Sequence, residues 1–312
     1  MSERLAARGA DTRNAALASV AMACGLLGLK IYAVIATGSV AMLGSLADTA
    51  LDILASLVTL LAVWMAAQPA DGDHRFGHGK AEALAALFQT LLIAASAVGI
   101  GWRAVLRLGT PQTPEAPELG ISVSLVAIAA TLLLIAYQRR VVARTGSVAI
   151  ATDRMHYQSD LLLNAAVIGA FVADSLLGLR GADAVFGLAI AAYLVWGAWS
   201  AASQSVDMLM DREWSADRRE ALTALLASHP SGKGVHALRT RTSGATDFIQ
   251  FHLWLPPLMT VTAAHDIVEG LETAVEAAFP GAEVLIHVDP EGHIDRGEQD
   301  IDPETGRLPD AA

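Results

Sequence analysis

Apolar stretches broken by short polar ones run from residue 14 to residue 210. A helix crosses a bilayer with about 20 mostly apolar residues. Six stretches qualify: Asn14 to Thr37, Val40 to Ala67, Glu82 to Arg107, Leu119 to Arg139, Ser147 to Leu177 and Ala182 to Met210. The breaks carry turn chemistry: TGS at 37–39, QPADGDHRFGHGK at 68–80, GTPQTPEAPELG at 109–120, RTGS at 144–147 and GLRGAD at 178–183. Some stretches exceed the minimum and are expected to tilt or to project beyond the bilayer. After Met210 the period changes. DREWSADRREALTALLASHP reads as an amphipathic helix with Ser215 as its N-cap. GVHALRTRTS and TDFIQFHLWL alternate like paired strands around an SGAT turn. VTAAHDIVEGLETAVEAAF is a second amphipathic helix and AEVLIHVD a third strand. The pattern predicts an all-α bundle of six transmembrane helices over 1–211 and a cytoplasmic α+β domain (αββαβ) over 212–290. An acidic tail, 291–312, is expected to be disordered.

Composition supports the membrane reading. Hydrophobic residues make up 54% of the 312, charged residues 17%, and mean hydropathy is +0.45; a soluble domain carries more charge. The single cysteine, Cys24, excludes a disulfide framework and disfavours a thiolate metal cage. The formal net charge of -11 argues against nucleic acid as a partner. The first apolar stretch is long and lacks a small-residue cleavage site, so it is expected to be a span and not a cleaved leader. An even number of spans puts both termini on one side. Arg4, Arg8, Arg13, Arg75, Lys80, Arg139, Arg140 and Arg144 gather there, against Arg103, Arg107 and Arg180 opposite. By the positive-inside rule both termini are cytoplasmic.

The candidate chemistry lies where the apolar pattern is violated. SLADTALDILAS places Asp48 and Asp52 four residues apart within the second span. A charge at mid-membrane costs about 2.5–3.5 kcal/mol even on the lenient insertion scale. Positions i and i+4 share a helix face, where like charges repel. A cation between them resolves both difficulties. MHYQSDLLLN supplies a matching pair, His156 and Asp160, on the fifth span. Either pair alone is equally a set of structural hydrogen-bonding groups; two pairs on separate spans point to a cation site. Four O/N ligands suit a tetrahedral divalent ion, with Zn, Fe(II) and Mn favoured over Cu(I). Ligands lose their protons to bind metal, so metal and proton compete. Imidazole ordinarily titrates near 6.5, which makes His156 the expected exchange group and antiport the expected mechanism.

Three further groups are candidates. Asp71, His74 and His78 can wrap one cation in a glycine-bearing loop, or be a solvated polar loop. His236, His252, His265, His287 and Asp289 can gather across adjacent strands, with Asp289 bridging, or be unconnected surface groups. Lys80 and Asp211 flank span ends, where ordinary interfacial charges also occur.

GSLADTALD, PADGDHRFGHGKAEALAAL, MHYQSD, VHALRTRTSG, FIQFHL and LIHVDP together resemble the cation diffusion facilitator family, and within it the FieF-type zinc and ferrous-iron efflux transporters. The resemblance runs from Asn14 to about Pro290. It implies a proton-coupled antiporter in a bacterial inner membrane that exports divalent cations from the cytoplasm, zinc first, cadmium also and iron as a further candidate. It implies Asp48, Asp52, His156 and Asp160 as the transport site and Asp71, His74 and His78 as a loop site. His236, His252, His265, His287 and Asp289 would form a cytoplasmic metal cluster in a metallochaperone-like domain at a homodimer interface. Lys80 and Asp211 would be an interdomain salt bridge at the dimer contact. No cofactor is implied beyond the zinc ions transported and bound as regulators. Val288 departs from the pattern, because relatives can carry a polar residue there. Two other classes remain open at this point: a metal-dependent membrane enzyme with the Asp/His cage as active site, and a metal sensor that does not transport. The first lacks a nucleophile motif in the spans and the second leaves the intramembrane acids unexplained.

Overall fold

In a computed structural model of the chain, the structure describes residues 2–37, 40–109, 118–177 and 181–293. Side chains are described except at 2–6, 33–34, 36–37, 40–48, 108–109, 118–124, 167–168, 170–172, 174–177 and 182–183. The apolar part forms six helices: α1 (Ser2–Thr37), α2 (Val40–Ala66), α3 (Ala81–Gly109), α4 (Glu118–Thr145), α5 (Val148–Leu177) and α6 (Ala182–Leu209). The chain divides into two compact units, Ala7–Asp207 and a second that runs from Met208 and also takes in the residues before Ala7.

Among the described residues, α1, α2, α3, α4 and α6 are long and apolar enough to cross a membrane. α5 carries Asp153, Arg154 and Asp160 in its first half. Helices also extend past the apolar stretches that marked them. α1 begins well before Asn14, and α4 runs past Arg139 to Thr145. Hydropathy marks the part that lipid accepts, whereas backbone hydrogen bonding carries a helix on into water. The two polar extensions meet where Arg144 Nη2 lies 3.4 Å from Asp11 Oδ2, an exposed pair worth less than about 1 kcal/mol.

α5 holds the bundle together. Small side chains let the backbones approach closely: Ala15 and Ala16 of α1, Val63 of α2 and Val141 of α4 bury against Ala149 and Ile150 of α5. A second cluster joins Ile93 and Ala97 of α3 to Ile190, Leu194 and Ala198 of α6, with Met155, Leu163 and Ala166 of α5 packed on it. The start of α5 is fixed as well. Gly146 takes φ +69°, a left-handed conformation that turns α4 into α5. The Ser147 hydroxyl then donates to the buried Glu82 carboxylate at the start of α3. Its oxygen also accepts from the Ile150 N–H at 3.3 Å, satisfying one orphan donor of the helix end.

The C-terminal unit comprises α7 (Ala216–Ser228), β1 (Val235–Ser243), β2 (Thr246–Leu255), α8 (Val261–Ala278) and β3 (Ala282–Pro290). The sheet order is β1-β2-β3, with β1 antiparallel and β3 parallel to β2. Period-2 alternation sorts β2: Ile249, Phe251, Leu253 and Leu255 enter a core with Leu222, Leu226, Leu271 and Val275, which leaves Gln250, His252 and Trp254 on the opposite face. Thr260 caps α8 by accepting from the Ala263 N–H. Ser215 occupies the N-cap position of α7, but its hydroxyl makes no capping hydrogen bond. Its carbonyl accepts from the Arg218 and Arg219 N–H groups instead.

A β-bulge interrupts the β1–β2 register between His236 and Arg239, and Ala237 within it takes φ +50°. A bulge bends its strand and re-aims the neighbouring side chain, here the buried His236. A non-glycine residue held there stores about 1–3 kcal/mol. Ala237→Gly is therefore expected to maintain or raise the unfolding midpoint of the C-terminal unit, and Ala237→Val to lower it by several degrees. Calorimetry of the full chain in detergent checks the order of the two; the reverse order contradicts the strain assignment.

Candidate metal centres

Asp52 on α2 meets His156 and Asp160 on α5 inside the helical unit. His156 Nε2 lies 3.0 Å from Asp52 Oδ1 and 3.9 Å from Asp160 Oδ2. One ligand atom from each of the three falls within 4.8 Å of the others. Tetrahedral ligands about 2.1 Å from an ion stand about 3.4 Å apart, so the observed separations bracket that edge. The imidazole is largely buried and the two carboxylates are partly exposed, Asp52 at 18% and Asp160 at 34%. Asp48 belongs to the same helix one turn earlier, and its side chain lies outside the described residues.

The loop between α2 and α3 makes a second group. Asp71 Oδ1 accepts from the backbone N–H groups of His74 at 2.7 Å and Asp73 at 2.9 Å. His74 Nδ1 lies 3.4 Å from Asp71 Oδ1, and His78 Nε2 lies 3.3 Å from Asp71 Oδ2. The two imidazole rings stand 4.5 Å apart. Gly77 makes this possible by taking φ +76° between the histidines. The His74 N–H holds the Asp71 carboxyl below the usual carboxylate range; partial desolvation opposes this, and the Asp73 N–H and the two imidazoles add to the lowering.

The sheet makes the third. His236, His252 and His287 occupy one cross-strand row, paired His236 to His252 and His252 to His287. Asp289 lies two residues beyond His287, on the same face of β3. Its Oδ2 sits 2.8 Å from His252 Nδ1 and 3.6 Å from His236 Nε2, while Oδ1 sits 3.3 Å from His287 Nε2. Asp289 thus joins all three histidines with two oxygens. His236 and Asp289 are buried; His287 is 60% exposed and open to a further ligand. His236 Nδ1 lies 3.1 Å from the Gly234 carbonyl oxygen, which orients the ring and leaves Nε2 towards Asp289. His265 lies outside this group, exposed on α8.

Lys80 and Asp211 belong to different units. Within its own unit Asp211 pairs with Arg241 at 3.3 Å. Two intramembrane polar residues escaped the sequence reading. Lys30 of α1 donates to the buried Thr49 of α2, one turn before Asp52, and its place in an apolar run was the signal that marked it. The other is Asp153, three residues before His156.

The family profile described as the cation efflux transmembrane domain matches residues 16–210, and that of the cation efflux protein cytoplasmic domain matches residues 214–291. A cation-efflux pump FieF of Serratia proteamaculans is 45% identical over 287 residues, 92% of this chain and 95% of that protein. The pump of the same name from Pectobacterium carotovorum is 45% identical over 276 residues, 88% and 92% of the two chains. A solved structure of CzrB, described as a zinc transporter and in its Zn form, is 36% identical over 28% of this chain and 99% of that one, with a TM-score of 0.26.

The lowered Asp71 carboxyl has a testable consequence. A depressed folded value contributes stability that is fully present above the ordinary carboxylate value, about 3.9, and is lost as pH falls through the lowered one. Protection of the Asp73 and His74 amides, corrected for intrinsic exchange, is expected to persist down to that range and then collapse. Asp71→Ala should leave both amides unprotected throughout. Equal protection in the variant would remove the carboxylate from this role.

Proposed function

The chain belongs to the cation efflux family, and from that premise we propose that it exports divalent metal ions from the cytoplasm in exchange for protons, with zinc as principal cargo, cadmium accepted and ferrous iron a further candidate. It is a multi-pass membrane transporter of cations and not an enzyme. The observation that carries the exchange reading is the convergence of Asp52, His156 and Asp160 at 3.0 and 3.9 Å. Asp48 completes the transport cage as a fourth ligand. Nitrogen and oxygen donors without a thiolate suit zinc and its neighbours.

The coupling follows from shared atoms. His156 Nε2 and Asp52 Oδ1 are at hydrogen-bonding distance, so a proton between them occupies the electron pairs a metal would use. A metal arriving from the cytoplasm expels that proton, and a proton arriving from outside expels the metal. The proton gradient then drives export.

The remaining groups take supporting roles in this reading. Asp71, His74 and His78 form a loop site for a divalent ion. His236, His252, His287 and Asp289 bind zinc as a cytoplasmic regulator, with His265 joining only from another arrangement or another copy. The C-terminal unit pairs two chains into a homodimer, and Lys80 and Asp211 link membrane and cytoplasmic portions at that contact. The protein sits in a bacterial inner membrane, as its relatives' sources support, with both termini cytoplasmic.

Two experiments test this. Proteoliposomes with an imposed pH gradient are expected to take up Zn(II) and Cd(II) at the highest rates, with Asp52→Ala reduced to the protein-free background. Flux that ignores the gradient, or that survives in Asp52→Ala, overturns the exchange mechanism. For the cytoplasmic group, calorimetric zinc stoichiometry of the full chain on an Asp52→Ala background should fall when Asp289→Ala is added. An unchanged stoichiometry excludes Asp289 as the bridge.

A further inference from the structure

Asp153 is fully buried in the middle of the helical unit, one turn of α5 before His156. Donors from three other helices converge on its carboxylate. The Ser19 hydroxyl of α1 reaches Oδ2 at 2.6 Å, Gln138 Nε2 of α4 reaches Oδ2 at 2.7 Å, and Gln89 Nε2 of α3 reaches Oδ1 at 2.9 Å. Gln89 also donates to Thr59 of α2 at 2.6 Å, and Gln138 to Ser19 at 3.0 Å. These partners on α1, α2, α3 and α4 are all neutral. The titratable groups that act on the cluster are His156 and Tyr157 of α5, and Tyr157 also senses Asp52 of α2 and Asp160. No lysine or arginine is among the groups that hold Asp153 among the described residues. Three neutral donors offset part of the cost of a carboxylate away from water, and no lysine or arginine among the described residues completes the compensation.

The same atoms hold the neutral acid equally well. Ser19 Oγ has a second acceptor in reach, the Ala15 carbonyl at 3.1 Å. A hydroxyl rotates to suit its partners and has two lone pairs. With a proton on Asp153 Oδ2, the acid donates to Ser19 Oγ and the Ser19 hydroxyl turns to Ala15. Gln138 and Gln89 keep donating to the carboxyl as before. No heavy atom moves between the two states. The amide oxygens of Gln89 and Gln138 are buried without hydrogen-bond partners, so the cluster also has spare acceptor capacity.

We propose that Asp153 is a second proton-binding site of this transporter, distinct from the metal cage and coupled to it. The inference rests on the exchange reading above. Three residues of α5 rise about 4.5 Å, so a dication in the cage acts on Asp153 at short range through a medium of low dielectric. The site holds a proton when the cage is free of metal. It releases that proton to water when the ion binds, and each metal then exchanges against protons from both places.

The test counts protons. Zinc is titrated into the purified full chain by calorimetry in buffers of different ionisation enthalpy, which gives the protons released per zinc bound. Asp153→Asn keeps the shape and fixes the neutral form. It is expected to bind zinc and to release up to about one proton fewer per ion than wild type. Equal proton release, whether affinity is kept or lost, overturns the proposal and leaves Asp153 a positioning residue. Wild type that releases no protons at all and shows no gradient-driven flux sinks the exchange reading and this inference together, and the wild-type arm therefore separates the two failures. Should Asp153→Asn not fold, infrared difference spectra of wild type on zinc addition replace it. Loss of a protonated-carboxyl band that Ser19→Ala shifts in frequency is expected. No such band, or one unmoved by Ser19→Ala, overturns the proposal.

Discussion

A carboxylate inside hydrocarbon must be neutralised, and the helical unit is organised around that requirement. Asp52, Asp153 and Asp160 all lie in helices whose neighbours are apolar. Each is compensated differently. Asp52 and Asp160 converge on one imidazole, while Asp153 is surrounded by neutral donors from three helices. An unmatched acid would cost several kcal/mol at each position, a large fraction of the stability of a typical domain. Compensation by a side chain from another helix is therefore also a packing constraint. It fixes which faces of α1, α2, α3 and α4 point at α5, and the small residues at those faces allow the approach.

This explains why the helix that carries most of the polar chemistry is the central one. α5 holds Asp153, His156 and Asp160 in its first half. It is tolerated because both apolar clusters and the Ser147–Glu82 anchor shield it. The rotation of α5 decides whether His156 and Asp160 face Asp52, so the contacts that set this rotation are as consequential as the ligands. The sheet solves a related problem by other means. Backbone pairing places His236, His252 and His287 in one row regardless of their side chains. Only Asp289 and the bulge at Ala237 then need to adjust the aim.

Much of this was legible in the chain because the signals are local. Asp48 with Asp52 and His156 with Asp160 declare themselves by i,i+4 spacing within apolar runs, and period-2 alternation marks the paired strands that carry His236 and His252. Helix ends were less legible: nothing in the hydropathy of α1 shows that Asp11 meets Arg144. Asp153 was invisible because a single acid has no periodicity, and its partners Ser19 and Gln89 lie 134 and 64 residues away. The bulge was hidden for another reason, since alanine carries no preference for positive φ. His265 shares the residue type of the sheet cluster but sits on the exposed side of α8, a distinction that composition cannot make.

The three candidate metal groups use the same ligand types, and their surroundings separate what each can do. In the loop, Asp71 and His74 are more than half exposed. Water competes there, and two backbone N–H groups already use one oxygen of Asp71, so such a group favours rapid exchange over tight holding. In the sheet, His236 and Asp289 are buried on a paired backbone, which is rigid and preorganised and suits an ion that stays. The intramembrane group is neither. Its ligands come from two separate helices joined through a single imidazole, so the ligand set depends on how α2 and α5 pack, and in the proposed exchange that packing is what would open or close the cage. The neighbouring carboxyl of Asp153 keeps its donors on α1, α3 and α4 whether or not it carries a proton.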